Sequence, residues 1–271
     1  MTSNSESPVA KGSDGPGHVF QTERQAVIVE LAMADGRVDV ASLAKRFDVT
    51  TETVRRDLDQ LQTQRLVRRV HGGAIPWERW RFEPRLSVRD SHNPEQKRRI
   101  ARRALDELPS EGTILIDSGS TAAHVAALLP MDATHTVVTN SLPVVNALAQ
   151  HKSVEIIVIG GLLKKDTMAM VDSGGVAELA GINVDLLFTS ADGFSVDRGF
   201  TTPYREEAAI KQAMMGTAQR TLLLVDDAKL GKDYLHQIAA INQVDAIVTG
   251  SEMADTDAEA LAARGTVVLR A

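Results

Sequence analysis

The sequence predicts an α/β protein in two parts: a small helical N-terminal unit closed by a hairpin, and a larger C-terminal unit on a mostly parallel sheet. Three observations carry this. Apolar residues recur at helical spacing three times within the first 61 residues. From residue 113 onward, short β-branched runs alternate with helical stretches, as in parallel strands joined by helices. Charge divides the same way: residues 1–103 carry 19 Lys/Arg against 14 Asp/Glu, residues 104–271 carry 11 against 22, and the net is −6. A basic front on an acidic body fits contact with a polyanion that stays confined to the front.

Composition bounds the rest. The 271 residues leave room for two modest domains, and 43% hydrophobic residues suffice for buried cores. With no cysteine there is no disulfide, thiolate metal site or cysteine nucleophile, which fits a reducing cytoplasm. No apolar run approaches 18–20 residues, so no membrane span is expected. Residues 1–20, rich in Ser, Gly and Pro, read as a disordered tail rather than a signal peptide.

Val27, Leu31 and Ala34 mark a first helix, stopped at Asp35-Gly36. Val40, Leu43, Ala44 and Phe47 form a second short stripe, and Asp48-Val49 leaves room only for a sharp turn. Val54, Leu58 and Leu61 then recur at i, i+4 and i+7, with Thr50 or Thr51 placed to cap the helix start. Thr53, Arg56 and Gln60 project roughly opposite this stripe, with Arg55 beside it, which suits a helix lying in a DNA major groove. An ordinary amphipathic helix with a solvated charged face has the same pattern, so its flanks decide. Downstream, residues 66–70 read as a strand, His71-Gly72-Gly73 as a turn, and Ala74-Ile75 as a return strand stopped by Pro76. Three helices and a hairpin make a winged helix-turn-helix over 21–76, with double-stranded DNA as partner. Thr51, Thr53, Arg55, Arg56 and Gln60 are the candidate groove readers; Arg68, Arg69 and His71 would reach phosphate or the minor groove.

This segment resembles the DNA-binding unit of the DeoR family of bacterial transcription regulators. The family signature is a Thr/Ser-capped helix with Thr-Val/Ile-Arg-Arg-Asp-Leu, followed by Arg-Val/Arg-His-Gly-Gly-Ala. Residues 53–58 and 69–74 match it nearly letter for letter.

Residues 77–92 read as a linker, with Pro84, several arginines and no clean period; Trp77, Trp80 and Phe82 would pin it to one domain. The body spans 93–271. Asn93-Pro94-Glu95-Gln96 opens a helix with Asn as cap and Gln three residues on, and Ile100, Ala104, Leu105 and Leu108 form its buried face. Strands begin at Thr113, Thr136, Val154, Val184, Leu222, Ala246 and Val267; helices fit 121–129, 142–150, 174–180, 206–220 and 257–264. In such a sheet ligands bind at the strand carboxyl ends, which here are all small, polar or glycine-rich. Asp117-Ser118-Gly119-Ser120-Thr121 puts a glycine turn and hydroxyls at a helix N-terminus, where an anion finds backbone N–H groups and the positive dipole end. Lys229, at another strand end, supplies a point charge to the same anion. His124, His135 and His151 lack metal-ligand spacing, and no metal or cofactor is expected.

The body also resembles the DeoR effector domain, whose fold is shared with ribose-5-phosphate isomerases. The resemblance implies a cytoplasmic regulator, expected to be a repressor, of a carbohydrate operon. It implies control by a phosphorylated sugar or polyol. Ser118, Gly119, Ser120 and Thr121 with Lys229 would then hold phosphate, with Gly161 in a neighbouring loop. Asp117, Asn140, Asp192 and Glu206 would address sugar hydroxyls or the carbonyl end. Asp227-Ala228 replaces the family's usual Ser-Ser, placing an extra carboxylate near Lys229. An isomerase-like enzyme carrying a DNA-binding head is the alternative, weakened because Asp192-Gly193-Phe194-Ser195-Val196 keeps only the first acid of the isomerase Asp-Gly-Ala-Asp-Glu run. A helix this small reads few base pairs, so a homo-oligomer, dimer or tetramer, is expected on half-sites spaced ~34 Å or a multiple apart.

Overall fold

The computed structural model describes residues 21–64, 66–76, 89–90 and 92–271. The tail expected at 1–20 and the linker residues Trp77, Trp80, Phe82 and Pro84 lie outside them.

In the N-terminal unit, α1 (Gln21–Asp35), α2 (Val40–Phe47) and α3 (Thr51–Thr63) precede the hairpin β2 (Val67–Val70) and β3 (Gly73–Pro76). A two-residue strand not read from sequence, β1 (Val38–Asp39), pairs antiparallel with β3 and makes a three-stranded sheet in the order β1-β3-β2. Gly73 is required there: a Cβ at this position would stand 1.9 Å from the Val38 carbonyl oxygen. The sharp turn between α2 and α3 is made by Asp48, whose left-handed φ of 51° ends α2. Thr50, rather than Thr51, caps α3, its hydroxyl accepting the Thr53 N–H at 3.1 Å. The predicted stripe Val54, Leu58, Leu61 is buried against Ile28, Leu31, Val40 and Leu43.

The body carries a seven-stranded sheet of β4 (Thr113–Ile116), β5 (Thr136–Thr139), β6 (Glu155–Val158), β9 (Val184–Thr189), β12 (Ala218–Leu224), β14 (Ala246–Thr249) and β15 (Val267–Arg270). Their order is β15-β14-β12-β9-β4-β5-β6, and every pairing is parallel. Successive side chains bury on opposite faces. Ile114, Ile116, Phe188 and Leu222 pack under α4 (Pro94–Leu105), α5 (Ser120–Leu128) and α6 (Leu142–Leu148). Leu115, Val138 and Leu187 pack under α7 (Ser173–Leu179) and α8 (Arg205–Thr217), and Leu223 and Ile247 pack toward α9 (Asp255–Ala262). This is the doubly covered parallel sheet expected from the alternating pattern.

Two additions were not legible. A second sheet, antiparallel, joins β10 (Gly193–Ser195), β11 (Gly199–Thr202) and β13 (His236–Ala239), and β7 (Leu163–Lys164) pairs with β8 (Ala169–Met170) as a small hairpin. The helix read over 206–220 ends at Thr217 instead, because Ala218 and Arg220 pair with Val184 and Leu186 of β9. Asn93 precedes α4, but in a left-handed conformation without a side-chain capping bond. Gln96, read as a capping-box partner, instead donates to Asp227 Oδ1 at 2.6 Å and Glu252 Oε2 at 2.8 Å.

Candidate functional site

The outward face of α3 presents Thr51, Arg55, Arg56 and Gln60 as exposed residues, with Thr53 half-buried beside the cap. They differ in freedom. Arg56 has no ion-pair partner among the described residues, whereas Arg55 lies 3.5 Å from exposed Glu52. Gln60 turns toward α1, its carbonyl oxygen accepting from Gln21 at 2.8 Å and Gln25 at 2.5 Å. On the wing Arg68 is exposed, while Arg69 is anchored to Asp59 at 2.5 Å and to the Arg55 carbonyl at 3.2 Å. Exposed Arg37 donates to the His71 carbonyl at 2.9 Å, adding to the wing turn a cation that sequence reading passed over. Beneath this surface Asp57 is buried, and Arg24 Nε donates to its Oδ2 at 2.6 Å.

The second site lies at the carboxyl ends of the parallel strands. Gly119 sits at the N-terminus of α5 with φ 123°, and a Cβ there would stand 2.7 Å from Ser190 Oγ and 3.5 Å from Arg89 Nη2. Ser118, Ser120 and Thr121 of the same turn are buried, as is Asn140. Thr121 Oγ1, Asn140 Oδ1 and Ser141 Oγ are buried polar atoms without a protein partner, unlike most such atoms in a folded chain. Gly161, φ 135°, lies in the loop that Asp172 fastens through Leu162 N at 2.9 Å and Gly175 N at 3.0 Å.

Four cations converge here. Lys229 donates to the Ala191 carbonyl at 2.7 Å, and Arg89 lies 3.5 Å from Asp192. Lys211 of α8 donates to Asp117, and Lys97 of α4 to the carbonyls of Arg89 and His92. Burial is the main cause that lowers the Lys229 ammonium to about 8, with Asp226 opposing and Arg89 assisting. Burial, then Lys229, likewise lowers Lys97 to about 8. Burial by itself would raise the Asp192 carboxyl, but Arg89, Lys229 and the Thr202 hydroxyl hold it below the usual carboxylate range.

Three sequence-based assignments change. Asp117, read as a ligand for sugar hydroxyls, is fully buried and spends its acceptors inside the protein. Its Oδ1 takes Ser118 N at 2.6 Å and Ser118 Oγ at 3.3 Å; its Oδ2 takes Thr189 Oγ1 at 2.6 Å and Lys211. Glu206 is exposed, whereas its neighbour Glu207 is buried, with Lys164 at 2.6 Å and Thr202 at 3.1 Å. The extra carboxylate of Asp227 is engaged by Gln96, and the carboxylates that act on Lys229 are Asp226 and Asp192. Arg89, Lys97 and Lys211 were missed as site residues because each reads, one at a time, as an ordinary solvated cation.

Among the described residues no helix is long and apolar enough to cross a membrane. A three-helix unit that exposes Arg55 and Arg56 on α3 and Arg68 on a wing, followed by a sheet domain whose strand ends gather four cations, has the layout of a ligand-responsive DNA-binding protein. Residues 24–79 match the DeoR-like helix-turn-helix domain, and residues 92–251 match the DeoR C terminal sensor domain. The chain belongs to the DeoR family of transcriptional regulators. It is 36% identical over 252 residues to the HTH-type transcriptional regulator GlpR of Haloferax volcanii, covering 92% of this chain and 98% of that protein. It is 30% identical to the glycerol-3-phosphate regulon repressor of Escherichia coli K12, covering 84% and 90% respectively. A ribose 5-phosphate isomerase A from Methanocaldococcus jannaschii superposes with a TM-score of 0.38 and 18% identity over 51% of this chain and 55% of that one. The full-length likeness is to regulators, which sets the enzyme alternative aside.

Proposed function

We propose that this protein is an operator-binding repressor of a carbohydrate- or polyol-phosphate gene set, controlled in the cytoplasm by a phosphorylated sugar or polyol bound at the strand ends. The observation that carries this reading is the meeting of Arg89, Lys97, Lys211 and Lys229 with a helix N-terminus and unpartnered buried hydroxyls. That combination suits a dianionic phosphate with a polyol attached. The name of the Escherichia coli relative supports a three-carbon polyol phosphate as the first candidate. Within the pocket Ser118, Gly119, Ser120 and Thr121 with Lys229 would hold phosphate, and Asn140 and Asp192 would address hydroxyls. Exposed Ile157 and Val158 on the edge strand β6, both 40% exposed, support self-association into a dimer or tetramer that sets the half-site spacing.

Calorimetry of the full chain with sn-glycerol 3-phosphate, inorganic phosphate and glycerol tests the effector half. The phosphorylated probes are expected to bind, raising the unfolding free energy by about 2.7 kcal/mol at 100 times Kd; glycerol is expected to do nothing. Affinity for sn-glycerol 3-phosphate is expected to fall as pH rises from 7 to 9.5, because Lys97 and Lys229 lose their protons near 8 while this monoester, with a second pKa of about 6, is already mostly dianionic. Affinity that stays flat or climbs over that range removes both lysines from the anion site.

For the DNA half, Arg56→Ala is expected to cost roughly 1–3 kcal/mol on the preferred operator and far less on scrambled DNA, since an exposed guanidinium with no ion-pair partner among the described residues suits a base edge. Equal losses on both sequences would make Arg56 a phosphate contact.

A further inference from the structure

Gln60 stands on the exposed face of α3, one helical turn beyond Arg56. A free glutamine amide presents an acceptor beside a donor, and so pairs with adenine, whose N6 donates and whose N7 accepts. Gln60 lacks that freedom. Its Oε1 takes two hydrogen bonds from α1, one from Gln21 Nε2 at 2.8 Å and one from Gln25 Nε2 at 2.5 Å. A carbonyl oxygen has two lone pairs, and both are filled in this way. Only the N–H groups of the Gln60 amide are left for a base.

This polarity is set from the interior of the unit. The Asp57 side chain is 1% exposed and Arg24 Nε donates to its Oδ2 at 2.6 Å, so Asp57 is a carboxylate and accepts only. Gln25 Nε2 lies 3.0 Å from Asp57 Oδ1, and Gln21 Nε2 lies farther off at 3.4 Å. Turning the Gln25 amide over would set its oxygen against that carboxylate, so its two N–H groups face Asp57 and Gln60. Gln60 then meets Gln25 with its carbonyl. Through Gln25, a buried acid decides which half of an exposed amide is offered outward. Between exposed amides in water such bonds contribute little, but a duplex covering α3 excludes the water that competes for them.

We propose that Gln60 reads the operator as a donor alone, selecting guanine and rejecting adenine. Guanine offers two acceptors, O6 and N7, to the Gln60 N–H groups; adenine sets its N6 donor against them and finds no acceptor. The proposal rests on α3 lying in the major groove. To that reading it adds the base selected at one position and the two α1 residues, Gln21 and Gln25, that position the reader.

The experiment selects duplexes from a random library with the full chain, then measures affinity with each base pair substituted in turn. The pair that Gln60 reads is the one whose preference disappears in Gln60→Ala. There the wild type is expected to favour guanine over adenine about 10-fold. Gln21→Ala combined with Gln25→Ala releases the Gln60 carbonyl, and adenine is then expected to bind within about 2-fold of guanine. Gln60→Glu keeps an acceptor for both α1 amides but shows the groove only acceptors, so the preferred base is expected to become cytosine, whose N4 donates. A Gln60→Ala variant with unchanged preferences overturns the proposal, as does a wild-type preference at that pair for any base other than guanine. A folded double variant that keeps the full preference for guanine overturns it too. If circular dichroism shows the double variant unfolded, Gln60→Glu decides, and continued selection of guanine overturns the proposal. A wild type that selects no sequence at all sinks the groove reading itself, and this inference with it.

Discussion

Asp57→Ala is expected to unfold most of the N-terminal unit and abolish operator binding, although Asp57 lies away from the DNA-facing side. The Asp57 side chain is 1% exposed and that of Arg24 7%, with Nε and Oδ2 2.6 Å apart. Gln25 adds a bond at 3.0 Å to the other carboxylate oxygen. Removing the carboxylate takes from a buried guanidinium its ion-pair partner at 2.6 Å, a loss on the order of 3–5 kcal/mol. A unit of this size holds on the order of 3–8 kcal/mol in all. The charge-free pair Arg24→Met with Asp57→Leu should recover much of the loss, since neither ion is then stranded. Glu52→Ala on the same helix is the control: its pairing with Arg55 is more than half exposed on both sides and contributes ~0.5 kcal/mol or less. Urea unfolding followed by circular dichroism, alongside operator binding, separates the cases. An unchanged first transition in Asp57→Ala would contradict the buried-pair assignment.

That pair also marks where the sequence stops being readable. Val54, Leu58 and Leu61 were visible because a 3.6-residue period leaves an apolar stripe, and the interior strands β4, β5, β9 and β14 because burial on both faces makes each run almost wholly apolar. Asp57 sits on the same α3 sequence with nothing to distinguish it from exposed Asp59; only the arrival of α1 makes it interior. Strands β10, β11 and β13 carry three or four residues each, too few for a period to show. Glu206 was singled out by the family resemblance alone; adjacent helical residues point about 100° apart, and the structure turns Glu207 inward while leaving Glu206 exposed. Glu207 and Lys211, at i and i+4 among buried Ala208, Ile210 and Met214, were the available signal: two charges inside an apolar stripe. Arg89 and Lys97 gave no such signal, because their convergence depends on a helix start and a strand end about a hundred residues apart in the chain.

Two lysines in the pocket are expected to behave oppositely. Lys211→Met should lower the stability of the body by about 3–5 kcal/mol, because it strands Asp117, which is fully buried and paired with Lys211, itself 6% exposed. The turn carrying Ser118 and Gly119 is held by that carboxylate, so anion binding should fall as a consequence. Lys229→Ala should leave stability unchanged or raise it while removing the anion response. The sign follows from its titration: folding lowers the ammonium from 10.5 to about 8, so the folded state binds that proton less tightly than the unfolded chain. Below pH 8 the charged Lys229 therefore opposes folding, and the penalty fades as pH rises from 8 toward 10.5. Deleting the side chain removes that penalty and leaves no carboxylate bonded to it alone, since its ammonium donates to the Ala191 carbonyl. Thermal unfolding of both variants at pH 7, with and without inorganic phosphate, tests the contrast. Equal destabilisation by the two substitutions would mean that Lys229 is structural, and the phosphate would then have to be held by Arg89, Lys97 and the helix N-terminus alone.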